Sequence, residues 1–135
     1  MQRRTVPSQR RRRGVLSMEL VLTLPILLVM LLGLLEFSFL LSARGEVVHA
    51  CRAGARVAAL HGVTPDDVQL EVERTIGGQF RSDCTVETLL GEYTGDPVVV
   101  TVRVPMTAAA PNLLWPLGYN IRGRDIVAQT RMLKE

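Results

Sequence analysis

Acidic residues are absent from the first fourteen positions of this 135-residue chain, and aromatic residues are scarce throughout. With aromatics at only 4%, any core must be built from aliphatic side chains. The chain has two cysteines, too few for a disulfide framework. Several catalytic signatures are missing as well: a glycine-rich phosphate loop, G-x-S-x-G, H-E-x-x-H and C-x-x-C. Ser17, Ser38 and Ser42 fall in apolar sequence with no histidine nearby. His49 and His61 match no usual zinc spacing with Cys51 and Cys84. Together these gaps argue against an enzyme, and no metal and no cofactor are expected.

What is present is strongly segregated. Residues 1–14 hold six arginines: Arg3, Arg4, Arg10, Arg11, Arg12 and Arg13. The remaining residues carry ten basic against thirteen acidic side chains, so the overall +3 belongs to the leader. A basic run can bind nucleic acid. Directly before an apolar helix it instead marks the cytoplasmic side of a membrane, and no nucleic-acid partner is expected. From Val15 to Leu35 the only charge is Glu19. At the rise of an α-helix these 21 residues reach about 31 Å, matching a hydrocarbon core of about 30 Å. No A-x-A-like site follows the Leu-rich run, and the helical pattern continues through Phe37–Leu41 into Ala43–Leu60. The segment therefore reads as a retained span rather than a cleaved secretory signal. Within it, Pro25 removes one backbone bond and is expected to loosen the helix. Glu36 is expected near the interface, reaching water.

The junction of leader and span carries the functional signal. Gly14 closes the basic leader, Val15 follows, and Glu19 stands alone one turn inside the apolar helix. This resembles the class III prepilin processing site of type IV pilins and Flp/Tad pseudopilins. The longer pattern Arg13-Gly14-x4-Glu19, Leu24-Pro25, Leu32-Gly33-x2-Glu36-Phe37, Ala43-Arg44 and Ala53-Gly54-Ala55-Arg56 is similar to the TadE-like family of minor pseudopilins. The closing Ala128-x3-Met132-x2-Glu135 is similar to that family's end. Leu20 departs from the aromatic that many such sites carry after the glutamate. The resemblance implies cleavage between Gly14 and Val15 by a membrane prepilin peptidase, and a role for Glu19 in assembly with other pilins or pseudopilins. It also implies a pilin-like fold, and a subunit incorporated into a pilus or related secretion apparatus. Cleavage would remove all six leader arginines and leave an amine on Val15. Glu19 of a neighbouring subunit could pair with that amine and set register between uniform Leu-rich helices.

The remaining sequence fits an α+β layout. Residues 1–14 form the cytoplasmic leader, 15–61 the span continued as an extracytoplasmic helix, and 62–135 a small extracytoplasmic domain. Small residues recur every four positions at Ala43, Val47, Cys51, Ala55 and Ala59, and at Ala50, Gly54 and Ala58. Such a face permits close helix packing, on another subunit or on the protein's own sheet. Thr64-Pro65-Asp66-Asp67 starts a short helix that Gly77-Gly78 stops. Cys84–Tyr93, Val98–Val104 and Ile126–Met132 read as strands of a small antiparallel sheet. Between the last two, Pro105–Tyr119 reads as a loop with a helical turn near Ala108–Leu114. Trp115 and Leu113-Leu114 are open to capping the sheet, dipping into a membrane interface or touching a partner, with core packing the default. Cys51 and Cys84 lie beyond the span, where a disulfide can form. A disulfide and two buried thiols are both compatible with the sequence.

Two functions follow. One is a TadE-like minor pseudopilin in a bacterial inner membrane, with its N-terminus cytoplasmic. The other is an uncleaved signal-anchored protein whose outer domain binds a ligand or envelope partner.

Overall fold

The computed structural model describes residues 11–135, with side chains from Ser17 onward, so most of the leader lies outside the described residues. One helix dominates. α1 runs from Arg11 to Ala58 and passes through Pro25. Its lower part is bare: large apolar side chains from Met18 to Leu41 are exposed in an almost unbroken run. Burial becomes regular only from Ala43 upward.

Above that point α1 is seated on a three-stranded antiparallel sheet in the order β1-β2-β3. The strands are β1 (Thr85–Leu89), β2 (Pro97–Pro105) and β3 (Asp125–Leu133). Val98, Val100, Val102 and Val104 are fully buried, as the alternation of β2 requires when one face meets a helix. Ala128 lies opposite Val102, and Ile126 opposite Val104. Phe80 is the one buried aromatic among the described residues, and the rest of the apolar core is aliphatic or cysteine. β1 is shorter than the expected Cys84–Tyr93. The chain turns away after Leu89 because Asp96 collects the amides of Glu92 and Tyr93 on one carboxylate oxygen. The C-terminus is fastened at the upper end of α1, where the Glu135 amide donates to the Ala59 carbonyl at 2.9 Å.

α2 (Pro65–Thr75) packs beside α1. Its start is a capping box: Asp67 accepts from the Thr64 amide at 3.0 Å, and the Thr64 hydroxyl accepts from the Asp67 amide. The backbone and side-chain hydrogen bonds from Thr64 hold the Asp67 carboxyl below its ordinary range. The helix ends at Ile76, just before the two glycines.

The stripe of small residues packs on the protein's own sheet. Ala43, Val47, Ala50, Cys51, Ala55 and Ala58 share one buried cluster with β2 and β3. Gly54 serves the second contact. A Cβ there would lie 2.6 Å from Val72 Cγ2, and Val72 is fully buried. Gly54→Ala gains about 1 kcal/mol of helix propensity but overpacks the α1–α2 seam at about 1–3 kcal/mol. The expected outcome is a lower melting temperature for the sheet domain of the detergent-solubilised full chain, followed by near-UV circular dichroism. An unchanged or raised melting temperature would show that the seam yields.

Candidate functional site: the lower helix and the loop that grips it

The residues singled out by sequence lie at the two ends of the bare helical segment. Gly14 and Val15 belong to the first turns of α1, and their side chains lie outside the described residues. Glu19 is exposed on the helix surface. Its backbone carbonyl accepts from the Thr23 hydroxyl at 3.0 Å. No charge separates Glu19 from Glu36, and the two are about 26 Å apart along the axis. Two acids therefore bracket an apolar segment close to one hydrocarbon thickness.

Glu36 does not reach for water, contrary to the expectation from its position. Its relative exposure is 1%. Oε2 accepts from the Leu113 and Leu114 amides, each at 3.1 Å. Oε1 is also buried and accepts no hydrogen bond among the described residues. The physical reason lies in the neighbouring loop. Between α3 (Met106–Ala109) and β3 the chain descends along α1, and its amides need acceptors where helix and apolar side chains exclude solvent. Leu114 rests against Gly33, one turn below Glu36, with its Cδ1 3.6 Å from where a Cβ would sit, an ordinary contact distance. The loop thus touches α1 at Gly33 and is hydrogen-bonded to it at Glu36. Sequence reasoning picked out both residues, but nothing local to them disclosed a partner some 77 positions away.

Two further expectations for this loop are corrected. Its helical turns are Met106–Ala109 and a 3-10 turn at Trp115–Leu117, not Ala108–Leu114. Trp115 is no core residue; it is 64% exposed, because the 3-10 turn follows Leu114 outward while Ile121 takes the buried place.

The two cysteines are both free thiols. Cys51 is fully buried where α1 crosses the sheet, and its Sγ donates to the Val100 carbonyl at 3.2 Å. Cys84 immediately precedes β1, whose Thr85 pairs with Arg103. Four strand residues, about 13 Å, separate the level of Val100 from that of Cys84, well beyond disulfide reach. Among the described residues no three histidine, cysteine or carboxylate side chains form a metal-holding group. His61 instead pairs with the Thr94 hydroxyl at 3.2 Å.

Two predictions follow from these contacts. Glu36→Leu strands two loop amides and is expected to cost about 1–3 kcal/mol per unsatisfied group. Glu36→Gln keeps an acceptor and should cost less, a ranking readable from thermal melts in detergent. Equal melts for wild type and Glu36→Leu would show that the carboxylate does not hold the loop. For the thiols, burial pushes the Cys84 pKa up, with the Glu73 carboxylate adding to the effect. Its thiolate is therefore scarcer than that of an ordinary cysteine at pH 8 and recovers as pH rises. Native iodoacetamide labelling should modify Cys84 slowly, faster at higher pH, while Cys51 reacts only after unfolding. Protection of both thiols until reductant is added would instead reveal a disulfide.

Comparison with known proteins agrees with this division of the chain. Residues 14–56 match the family model described as TadE-like protein. The match spans the leader junction, the bare segment with Glu19, Gly33 and Glu36, and α1 as far as Arg56, and it stops short of α2 and the sheet. No curated protein and no solved structure matches the chain. α1 is long and apolar enough to cross a membrane, and the family is structural rather than enzymatic. Over residues 14–56 the chain is thus similar to the TadE-like family, and its helix there fits a single-pass membrane anchor.

Proposed function

We propose that this chain is a minor pseudopilin, cut after Gly14 by a membrane prepilin peptidase and taking part in assembly of a tight-adherence (Flp) pilus or related secretion apparatus. The observation that carries the reading is the unequal covering of α1. Its upper part is buried on the sheet, whereas its lower part exposes apolar side chains on all sides around one exposed acid, Glu19. Such a surface is stable only in lipid or against other apolar helices.

Hydrolysis of the Gly14–Val15 peptide bond releases the arginine leader and leaves an α-amine on Val15. The leader is the strongest basic anchor on the cytoplasmic side, so its loss frees the subunit to move outward. Glu19 of one subunit and the Val15 amine of a neighbour then form the one charge pair available to otherwise uniform helices. In low dielectric such a pair selects register strongly, because breaking it leaves a buried charge uncompensated. The N-terminus is cytoplasmic on this reading, the sheet domain lies on the outer side of the inner membrane, and other pilins of the system are the partners.

A second reading rests on the outer face of the sheet. A shallow hollow of about 520 Å³ there is lined by residues including Leu89, Val99, Thr101 and Val127, which suits an uncleaved, signal-anchored binding module.

The two readings part at the N-terminus. Protein from native membranes containing the matching peptidase is expected to begin at Val15, and Gly14→Ala to retain the full leader mass. Glu19→Ala is expected to be processed but lost from sheared pilus fractions. An intact Met1 in the wild type, with Gly14→Ala unchanged in mass, would favour the binding module.

A further inference from the structure

The loop that descends along α1 ends in an apolar, aromatic surface that nothing among the described residues covers. Trp115, Leu117 and Tyr119 are 64%, 61% and 45% exposed. Their height on α1 is fixed from below by Leu114 against Gly33, and from above by the Leu113 and Leu114 amides on Glu36. Gly33 stands in the last turn of the uncharged run from Leu20 to Leu35. With Glu19 near the inner boundary, Glu36 lies about 26 Å above it, close to where a hydrocarbon core of about 30 Å gives way to headgroups.

We propose that this loop is an interfacial anchor that seats the outer domain on the phospholipid headgroup region of the outer leaflet. The inference rests on the membrane-span part of the function proposed above. Three observations converge on lipid as the occupant. The surface is continuous with the apolar surface of the span itself. Its composition is that of an interface, where tryptophan and tyrosine rings combine an apolar body with a polar edge. Two exposed arginines flank it, Arg122 and Arg124, and the Arg124 guanidinium lies 5.7 Å from the centre of the Tyr119 ring. These are the charges that lipid phosphates attract.

The depth also accounts for the burial of Glu36. Irregular backbone near a hydrocarbon boundary finds little water and must have its amides satisfied by protein. Glu36 supplies that acceptor twice over, which makes it the positioning residue of the anchor. Trp115 and Leu117 enter the boundary, and the loop fixes the height of the sheet domain above the bilayer.

Trp115 is the only tryptophan in the chain, so its emission reports on this loop alone. The full chain is reconstituted in vesicles of phosphatidylcholine and phosphatidylglycerol carrying bromines either near the acyl carbonyl or near the chain end. Trp115 is expected to lose most of its emission to the shallow bromines, less to the deep ones, and little to aqueous acrylamide. Glu36→Leu should shift quenching from bromine toward acrylamide, and Glu36→Gln should largely restore the wild-type pattern. Quenching by acrylamide without bromine quenching overturns the proposal. Protection from both quenchers also overturns it, in favour of a protein partner over the loop. A second variant, Leu28→Trp combined with Trp115→Phe, tests the span independently through the deep bromines. If Leu28→Trp is quenched and Trp115 is not, the anchor alone fails; if Leu28→Trp escapes, the span and the anchor fail together.

Discussion

Close approach of the upper half of α1 to the sheet is the contact on which the rest of the structure depends. Every other element is placed by it. β2 and β3 meet α1 at Cys51, whose thiol donates to the Val100 carbonyl. α2 reaches α1 only because Gly54 has no side chain to meet Val72. The C-terminus closes on the Ala59 carbonyl. A helix with leucine at the positions of Ala43, Ala50 and Ala55 would stand several ångströms farther off, and the valine face of β2 would lose its cover. A domain with so few aromatics has little other apolar area to replace that contact.

The same helix serves two solvents, and its two acids mark how the work is divided. Between them runs an uncharged segment about as long as a hydrocarbon core is thick. Glu19 is exposed, and no contact within the described residues accounts for an acid at the start of this apolar surface. Glu36 faces inward and is committed to the chain's own loop. Two acids of one type, some 26 Å apart on one helix, thus take opposite roles because only one of them has a backbone to satisfy.

Much of this organisation was legible in the sequence because it rests on periodicity and local chemistry. The alternation of valines fixed the buried face of β2, the Thr64-Pro65-Asp66-Asp67 cap fixed the start of α2, and the run from Leu20 to Leu35 marked the bare segment. The candidate site was only half legible. Gly14 and Glu19 carry a local pattern, but the role of Glu36 depends on a loop 77 residues later, and no spacing rule reaches that far. The default of core packing for Trp115 failed for a related reason: its residue type suits a core and an exposed surface contact alike, and only the fold shows it exposed. The small-residue stripe suited two partners, and the sheet of the same chain took it.

The energetics of the bare segment bear on why one charge can matter so much. Removing its exposed side chains from water is worth on the order of tens of kcal/mol, at about 1.5–3 kcal/mol for each. That large term forbids exposure to water but chooses no partner, since lipid tails and neighbouring leucines are about equally apolar. Transfer from bilayer to helical bundle is therefore nearly balanced in its apolar part, and the outcome is decided by terms of a few kcal/mol. On the proposed reading a paired or unpaired Glu19 is such a term, and so is withdrawal of Trp115 and Leu117 from headgroups. On the proposed reading, cleavage acts on this balance from one side by removing six arginines that favour staying. The amine it creates acts from the other by giving Glu19 a partner only in the assembled state.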